Sequence, residues 1–146
     1  RVTQIFFIVL LFLLDRITKL LVIEFMNYGQ TILLIPKILS LTYVHNTGVA
    51  FGMFSTMGGI LTLLLTIVVI ALVFYYKRVP SMYRLGYVLV TLGAIGNLID
   101  RYMYSDSVID FIHVPFFSVF NFADIYITFG AIILFFAMRK ADKKGK

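Results

Sequence analysis

The sequence contains a run of nineteen uncharged residues, Gly58–Tyr76 (GGILTLLLTIVVIALVFYY), which ends at Lys77 and Arg78. A helix needs about 20 mostly apolar residues to cross the roughly 30 Å hydrocarbon core of a bilayer. The whole chain is 61% hydrophobic and only 14% charged, whereas a soluble domain carries about 25% charged residues. The sequence therefore predicts a membrane protein and excludes a soluble globular one.

Three further apolar runs complete a prediction of four transmembrane helices, at residues 5–23, 58–76, 85–99 and 122–138. The run at 85–99 is short, but charged side chains at both ends lengthen it by reaching the two interfaces. The run at 5–23 is unusual because three charges lie well inside it, and charges in a membrane helix are costly. It lacks a small-residue cleavage site, so we interpret it as an anchor that is retained.

Lysine and arginine are concentrated on one side of the predicted membrane. Three lie between the second and third spans and five follow the fourth, whereas residues 24–57 hold one lysine and residues 100–121 have a net charge of −2. Short loops rich in Lys and Arg stay in the cytoplasm. We therefore expect both termini in the cytoplasm and the two longer segments outside.

The two outward segments have about 34 and 22 residues, and connections of that length in compact proteins carry structure or function. In the first, residues 31–51 are rich in Ile, Leu, Val, Thr and Tyr, are interrupted by Pro36 and contain Asn46-Thr47-Gly48 near their end. This pattern predicts short strands around a turn. The predicted fold class is an all-α membrane protein with a small β-structure between helices one and two, in a single domain of residues 1–146.

Composition and motifs exclude several kinds of chemistry. The chain has no Cys, so disulfides, thiol nucleophiles and thiolate metal sites are impossible. His45 and His113 do not form HExxH and are predicted in loops, and no serine occurs as GxSxG. Neither a zinc nor a serine mechanism therefore has support. The net charge of +6 is explained by membrane topology and not by binding to nucleic acid.

Two acids stand in apolar stretches on the outward side. Asp110 lies in Val108–Ile112 (VIDFI), and Asp124 closes Phe120–Asp124 (FNFAD) at the outer end of the fourth span. Two carboxylates held a few Å apart share one proton, so that one activates water while the other polarises a carbonyl. The pattern favours aspartic-protease chemistry.

Each of these acids also has a structural interpretation. Asp124 stands three residues after Asn121, where it completes a helix cap and faces the positive end of the helix dipole. Asp110 is, in the alternative, a solvated or turn-forming acid, although apolar residues flank it on both sides. Spacing alone leaves structure and catalysis open for Asp124, whereas the apolar flanks favour a function for Asp110.

Further candidates lie inside the first and third spans. Asp15 and Lys19 have the i,i+4 spacing and the order that favour an ion pair, either a structural one or one that contacts substrate. Asp100 and Arg101 are either an interfacial ion pair or a clamp for a lipid head group or substrate. A small-residue face on the third span, which allows close approach of another helix, consists of Gly93, Gly96 and Asn97.

Other membrane functions also use paired acids. A small proton-coupled transporter is one alternative, although these acids cluster at one surface and do not form a chain across the bilayer. A presenilin-like protease expects GxGD within a span, and this sequence lacks that motif. A structural membrane protein without chemistry is the third alternative.

Five blocks of the sequence resemble, in order, the signature blocks of bacterial lipoprotein signal peptidase, also called signal peptidase II. They are Asp15–Lys19 (DRITK), Asn46–Phe51 (NTGVAF), Gly93–Arg101 (GAIGNLIDR), Val108–Ile112 (VIDFI) and Phe120–Asp124 (FNFAD). Any one block is a weak signal, but five in order in a chain with four predicted spans make the resemblance specific. It covers essentially the whole chain.

The resemblance implies an aspartic endopeptidase that removes the signal peptide from prolipoproteins, just before a cysteine that carries diacylglycerol. Asp110 and Asp124 match the catalytic pair of the family. The positions that match its supporting or site-lining residues are Asp15, Lys19, Asn46, Gly48, Gly96, Asn97, Arg101, Asn121 and Ala123. Family members also have an extracytoplasmic β-cradle and a mobile half-helix, which residues 24–57 would form here.

The resemblance further implies a location in the bacterial cytoplasmic (inner) membrane, with the active site on the extracytoplasmic face. Diacylglyceryl-prolipoproteins and globomycin-type inhibitors are the implied partners, and no metal or organic cofactor is required. The basic residues would contact anionic membrane phospholipid on the cytoplasmic side. Residues 104–107 (YSDS) depart from the expected Gly-containing turn, which leaves the shape of that loop open.

Overall fold

The computed structural model describes residues 2–48 and 57–144, which contain four α-helices. They are α1 (Val2–Phe25), α2 (Met57–Tyr75), α3 (Arg84–Met103) and α4 (Phe122–Lys144). Two short 3-10 turns connect α2 to α3. Each predicted span coincides with one helix. Helices α3 and α4 also include polar and charged residues beyond the predicted ends.

Three of the described helical segments are long and apolar enough to cross a membrane, namely Gly58–Arg78, Ser81–Met103 and Phe122–Lys143. These three predictions of membrane-length apolar helices are confirmed, and the chain is an integral membrane protein. The 24 residues of α1 correspond to about 36 Å of helix at 1.5 Å per residue. Helix α1 differs from the three membrane-length segments because Asp15, Arg16 and Lys19 lie well inside it.

A three-stranded antiparallel sheet joins the two outward segments. Its strands are β1 (Thr31–Ile35), β2 (Leu39–Asn46) and β3 (Val108–His113), in the spatial order β1-β2-β3. The predicted strands of the first segment are confirmed, but the prediction that the β-structure lies only between helices one and two is wrong. The apolar flanks of Asp110 form the third strand. The half-helix was expected within residues 24–57, and residues 49–56 of that segment lie outside the described residues.

Both histidines lie in strands, so their prediction as loop residues is wrong. His45 belongs to β2, where its Nε2 is 2.8 Å from the Tyr43 hydroxyl. His113 ends β3, and its Nδ1 is 3.3 Å from the Ser40 hydroxyl on β2. Each imidazole has a hydroxyl partner on its own or the neighbouring strand, and this hydrogen bond satisfies a ring nitrogen within the sheet.

Helix α3 packs closely against α4 through glycines. A Cβ atom added to Gly86 would lie 2.7 Å from the carbonyl oxygen of Gly130, and one added to Gly130 would lie 2.7 Å from the carbonyl oxygen of Gly86. Further along, Gly93 and Gly96 face Ala123 at the start of α4. The predicted small-residue face therefore does allow a close helix approach, as expected where helices pack in lipid.

The apolar core lies where the outer end of α1 meets the sheet. Its buried side chains are Val22, Met26, Tyr43, Ile109 and Phe111. Since Ile109 and Phe111 flank Asp110 in β3, this core holds the acid in place from both sides. The sheet therefore carries one candidate acid, Asp110, and the start of α4 carries the other, Asp124.

Candidate active site

Asp110 lies on β3 with only 1% of its surface exposed. One carboxylate oxygen, Oδ2, accepts a hydrogen bond of 2.9 Å from the Asn46 amide, and Oδ1 accepts one of 2.6 Å from the Asn121 amide. The register pairs Val44 with Asp110 and Asn46 with Val108, so Asn46 is a diagonal neighbour of Asp110 on the same face of the sheet. Both oxygens of this acid are held by protein.

Asp124 lies in the first turn of α4. Its backbone N–H donates to Asn121 Oδ1 at 2.9 Å, and the Asn121 N–H donates to Asp124 Oδ2 at 3.2 Å. This reciprocal pair is a helix cap, as the spacing predicts. The other carboxylate oxygen, Oδ1, accepts a 2.8 Å hydrogen bond from the Asn97 amide on α3. The cap therefore occupies only one oxygen of Asp124, and the structural interpretation does not exclude a catalytic one.

Asn121 links the two acids directly. Its side-chain oxygen accepts from the Asp124 backbone, and its side-chain amide donates to the Asp110 carboxylate. The residue is fully buried, with 0% of its surface exposed. Because its backbone N–H also donates to Asp124 Oδ2, this one asparagine contacts both carboxylates.

The three asparagines are oriented so that their NH₂ groups face the acids. Asn46 Oδ1 accepts from the Gly48 backbone N–H at 2.8 Å, and Asn97 Oδ1 accepts from Lys19 Nζ at 3.1 Å. Because each side-chain oxygen is already occupied by a donor, each NH₂ group is directed at a carboxylate.

The environment of Asp110 favours its protonated form. Burial, with a smaller contribution from the Asp124 charge, raises the pKa of its carboxyl group to about 7, although the hydrogen bonds from Asn46 and Asn121 oppose the rise. A pKa near neutrality lets a carboxyl group hold a proton or release it under working conditions.

Four charged side chains from α1 and α3 form a charge cluster, which we define as Asp15, Arg16, Lys19 and Asp100. Lys19 Nζ lies 3.1 Å from Asp15 Oδ2 and 2.8 Å from Asp100 Oδ2. Arg16 Nη1 lies 2.5 Å from Asp100 Oδ1. The predicted i,i+4 ion pair is therefore confirmed, and it belongs to a larger group with two positive and two negative charges.

The charge cluster is connected to Asp124 through Asn97. Lys19 is fully buried, at 0% exposure, and it donates to the same Asn97 whose amide holds Asp124. Asp100 also accepts a 3.2 Å hydrogen bond from the Ile109 backbone N–H, next to Asp110. The cluster thus contacts both elements that carry the candidate acids.

Asp15 anchors the start of α4 to α1. Its Oδ1 accepts a 3.0 Å hydrogen bond from the Ala123 backbone N–H, which is one of the free donors at a helix N-terminus. Asp15 Oδ2 would lie 2.8 Å from a Cβ atom at Gly96, and the Ala123 side chain would lie 3.3 Å from that atom. Gly96 and Ala123 are therefore positions where a larger side chain would push the carboxylate away.

Arg101 points away from Asp100, so the two do not form the ion pair that was one of our alternatives. Its Nη1 donates to the carbonyl oxygens of Thr47 at 3.3 Å and Asp106 at 2.8 Å. A Cβ atom at Gly48 would lie 2.9 Å from Arg101 Nη2, and Gly48 has a φ of +73°. Arg101 instead ties the strand that carries Asn46 to the end of α3.

The departure at residues 104–107 has a simple local structure. Ser105 and Asp106 adopt left-handed backbone conformations with φ of 51° and 63°, where glycine is the usual residue. Hydrogen bonds from Asp106 N–H to the Arg101 carbonyl and from Ser107 N–H to the Tyr104 carbonyl close the end of α3. The turn therefore forms without glycine.

Our sequence reasoning missed Arg16 as part of the site, and it considered Asp100 only together with Arg101, whereas Asp100 pairs with Arg16 and Lys19. The charges of Asp15 and Lys19 neutralise each other, so the remaining positive charge of Arg16 indicates an acidic partner elsewhere in the chain. This unpaired charge was the signal available in the sequence. Within residues 2–48 and 57–144, no group of three or more His, Cys, Asp or Glu side chains is arranged to hold a metal ion.

Comparison with known proteins identifies relatives over nearly the whole chain. The family model described as signal peptidase (SPase) II matches residues 7–140. A lipoprotein signal peptidase from Pseudoalteromonas translucida is 44% identical over 87% of this chain and 82% of its own length. Its counterpart from Clostridium tetani is 35% identical over 95% of this chain and 94% of its own length.

Solved structures show the same fold. A bacterial membrane enzyme determined by the in meso method at 2.3 Å resolution superposes with a TM-score of 0.85 at 30% identity, covering 99% of this chain and 92% of its own. A second such structure, at 1.9 Å resolution, has a TM-score of 0.83 at 30% identity, covering 93% of this chain and 92% of its own.

Fold and site together define an integral membrane protein whose buried acids and charges gather at one end of a helical bundle. The relatives place it more closely: this chain belongs to the signal peptidase II family. It is therefore a protease of the bacterial inner membrane, and the resemblance of its five sequence blocks is confirmed.

Proposed function

We propose that this protein is an aspartic endopeptidase that removes the signal peptide from diacylglyceryl-modified prolipoproteins, with cleavage just before the lipidated cysteine. The observation that carries this proposal is that Asn121 donates hydrogen bonds to both carboxylates, from its side-chain amide to Asp110 and from its backbone N–H to Asp124. The charge of Asp124 also raises the pKa of Asp110, and two carboxyl groups that repel each other in this way favour sharing one proton.

The dyad would act on a water molecule and the scissile carbonyl. The ionised carboxylate removes a proton from water as the water oxygen attacks the carbonyl carbon, and the protonated carboxyl group donates its proton to the carbonyl oxygen. Collapse of the tetrahedral intermediate breaks the C–N bond and transfers a proton to the departing amine. Burial raises the pKa of Asp110 to about 7, so this carboxyl group is able to hold a proton in the resting enzyme.

The asparagines would orient the dyad during this reaction. Asn46 and Asn121 hold Asp110, and Asn97 holds Asp124, so each acid keeps its position while its proton moves. Lys19 supplies a positive charge behind Asn97. Asp15, Gly96, Ala123, Gly48 and Arg101 are, on this proposal, supporting residues that hold the helices and β2 around the two acids.

We propose four transmembrane spans within one peptidase domain of residues 1–146. The support for α1 as the fourth span is that Asp15 and Lys19 are buried in the protein, whereas its apolar side chains face outward, with Phe6 at 62% and Leu20 at 50% exposure. Since α1 runs parallel to α3, with Lys19 beside Asp100, both helices cross in the same direction. The distribution of Lys and Arg then favours cytoplasmic termini and an extracytoplasmic dyad.

Cleavage beside a lipidated cysteine requires acids and water at the membrane surface while the acyl chains stay in lipid. The dyad lies where the first turn of α4 meets β3, at the junction of a membrane-length helix and the sheet. We extend the proposal to inhibition by globomycin-type peptides, which would compete with prolipoprotein for this site.

The decisive experiment is cleavage of a purified diacylglyceryl-prolipoprotein in detergent, followed as a mass shift with and without globomycin. Asp110→Asn and Asp124→Asn preserve size and remove one ionisable group each, and each lowers the rate by at least about 10³-fold. Asp142→Asn, an exposed acid at the far end of α4, is the matched control and retains wild-type turnover. Wild-type turnover in either dyad variant refutes the dyad, and folded wild-type protein without cleavage would direct attention to proton transport.

A further inference from the structure

A narrow apolar groove lies along one face of α3, between α1 and α2. Its volume is about 190 Å³. Ile8 on α1, Val73 on α2 and Tyr76 in the 3-10 turn that follows α2 form its sides, and its base runs along α3 from Tyr87 to Ile95. The helical rise from residue 87 to residue 95 makes this base about 12 Å long. This shape suits a slender chain, since sites for compact ligands have volumes of roughly 300–1,000 Å³.

The polar atoms in the groove are largely engaged within the protein. The Tyr87 hydroxyl donates to the Leu72 carbonyl oxygen at 2.8 Å, and the Thr91 hydroxyl donates to the Tyr87 carbonyl oxygen at 2.8 Å. Both hydroxyl groups therefore donate their hydrogen bonds to backbone carbonyl oxygens. The remaining surface of the groove consists mainly of aliphatic and aromatic carbon, which favours hydrocarbon as an occupant.

One end of the groove carries positive charge. Arg84 stands three residues before Tyr87 and four before Val88, so it lies on the same face of α3 as the base of the groove. Its Nε donates to the Val79 carbonyl oxygen at 3.1 Å, which holds the guanidinium in place and leaves its terminal NH₂ groups available. Lys77 directly follows Tyr76 and is exposed, and residues 76–84 contain no acid.

We propose that this groove binds an acyl chain of an anionic phospholipid whose phosphate contacts Arg84 and Lys77. The hydrocarbon part matches the apolar base, and the phosphate matches the cations at its end. A signal-peptide helix fits less well, because the amino-terminal region of a signal peptide is itself positively charged and the same cations would repel it.

Such a lipid would connect α1 to α2. Ile8 and Val73 lie on opposite sides of the groove, so a chain between them contacts both helices and α3. Because α1 also carries Asp15 and Lys19, the lipid would support the helix on which the charge cluster depends. The proposal concerns a binding site apart from the acids and does not require them to be catalytic.

The absence of Trp from the sequence allows a single-tryptophan test. Val73→Trp places the reporter at the side of the groove, and Phe74→Trp is the matched control at the same depth on the lipid-facing side, where Phe74 is 82% exposed. Each variant is reconstituted in phosphatidylcholine nanodiscs that contain a small fraction of brominated phosphatidylglycerol or brominated phosphatidylcholine. We expect brominated phosphatidylglycerol to quench Val73→Trp at about fivefold lower mole fraction than brominated phosphatidylcholine.

Additional substitutions separate a specific site from general charge attraction. Arg84→Gln with Lys77→Gln abolishes the preference at position 73, whereas Arg139→Gln with Lys140→Gln removes equal charge from the end of α4 and preserves it. Thr91→Leu fills the groove and removes the preference while keeping both cations. Circular dichroism and gel filtration check that every variant is folded.

Three results would overturn the lipid site. The first is equal preference for the anionic lipid at positions 73 and 74, and the second is a preference at 73 that survives the Arg84 and Lys77 substitutions. The third is absence of any lipid preference combined with a change in fluorescence at position 73 on adding a signal peptide, which assigns the groove to the substrate. Because none of these readouts measures cleavage, they leave the proposed peptidase activity untouched.

Discussion

We call the end of the helical bundle that meets the sheet the outer end, after the proposed topology, and the opposite end, where Lys77 and Arg84 lie, the basic end. The two ends are held together by different means. At the outer end, the largest fully buried side chains are mostly polar or charged: Lys19, Ile109, Asn121, Asp15, Asp100 and Asp110. Toward the basic end, α3 and α4 meet through Gly86 and Gly130, where the backbone of each helix approaches the other closely. Lipid provides little hydrophobic drive for helices to associate, so hydrogen bonds and charges specify one end and close backbone contact the other.

The same contrast separates α1 from α2. Both have membrane-length apolar surfaces, but α1 contains the charges that α2 lacks, and those charges meet partners on α3. A charge inside a span is therefore tolerated when an opposite charge faces it from a neighbouring helix. Of these two helices, the charged one, α1, contacts the candidate site.

The largest effect on this contrast is expected from Lys19→Met. This substitution leaves Asp15 and Asp100 buried with too little positive charge, and breaking such a group costs about 3–5 kcal/mol. The free energy of unfolding, measured by titration with sodium dodecyl sulfate in mixed micelles, should fall by that amount. Lys140→Met makes the same change at an exposed position and should cost little. Equal stability of both variants would show that the charge cluster does not hold the outer end together.

A smaller effect, at the basic end, is expected from Gly130→Ala. The added Cβ would lie 2.7 Å from the Gly86 carbonyl oxygen and 2.8 Å from the Val90 backbone nitrogen, so α3 and α4 must separate. Overpacking of this kind costs about 1–3 kcal/mol. Ala131→Val adds methyl groups on an exposed position of the same helix and is the control.

Gly130→Ala also tests whether the two ends work independently. Gly130 lies more than one turn beyond Asp124 on α4, so the folded variant should cleave prolipoprotein at a rate close to that of the wild type. A stable variant without cleavage would contradict the division of the bundle into two ends.

Titration of Asp110 should make the stability of the outer end depend on pH. Burial raises the pKa of Asp110 from 3.8 to about 7, so between these values the folded protein holds a proton that the unfolded chain releases. The free energy of unfolding therefore falls as the pH rises through this window, by up to about 1.4 kcal/mol per pH unit. Thermal unfolding midpoints between pH 5 and pH 7 measure this slope.

The control for the pH measurement separates Asp110 from other acids. Asp110→Asn should flatten the slope, because the amide does not titrate, whereas Asp142→Asn should retain it. A slope that persists unchanged in Asp110→Asn would assign the titration to another group.

Local patterns made much of this fold predictable. The four helices follow from apolar runs, and the Asp15–Lys19 pair follows from i,i+4 spacing, which depends only on the helix that carries both residues. The Asn121–Asp124 cap is local for the same reason. In each case the interacting groups lie within one turn, so sequence spacing determines their geometry.

Contacts between distant segments were not predictable in this way. The pairing of Arg16 with Asp100 depends on how α1 packs against α3, and the stretch around Asp110 is too short for periodicity to distinguish strand from helix. The orientation of Asn97 toward Asp124 likewise depends on Lys19 occupying its side-chain oxygen. These details require knowledge of which donors meet in space.

The smallest effect is expected where α2 makes a polar contact with α3. The Thr66 hydroxyl lies 2.7 Å from the Tyr102 hydroxyl, and it also bonds to the Thr62 carbonyl oxygen on its own helix. Polar contacts between membrane helices contribute about 0.6 kcal/mol on average, and this one is exposed. A double-mutant cycle of Thr66→Val and Tyr102→Phe, measured as free energies of unfolding, should therefore give a coupling of about 0.6 kcal/mol or less. A coupling of several kcal/mol would mean that α2 is held as firmly as α1, and the contrast between the charged and uncharged helices would not hold.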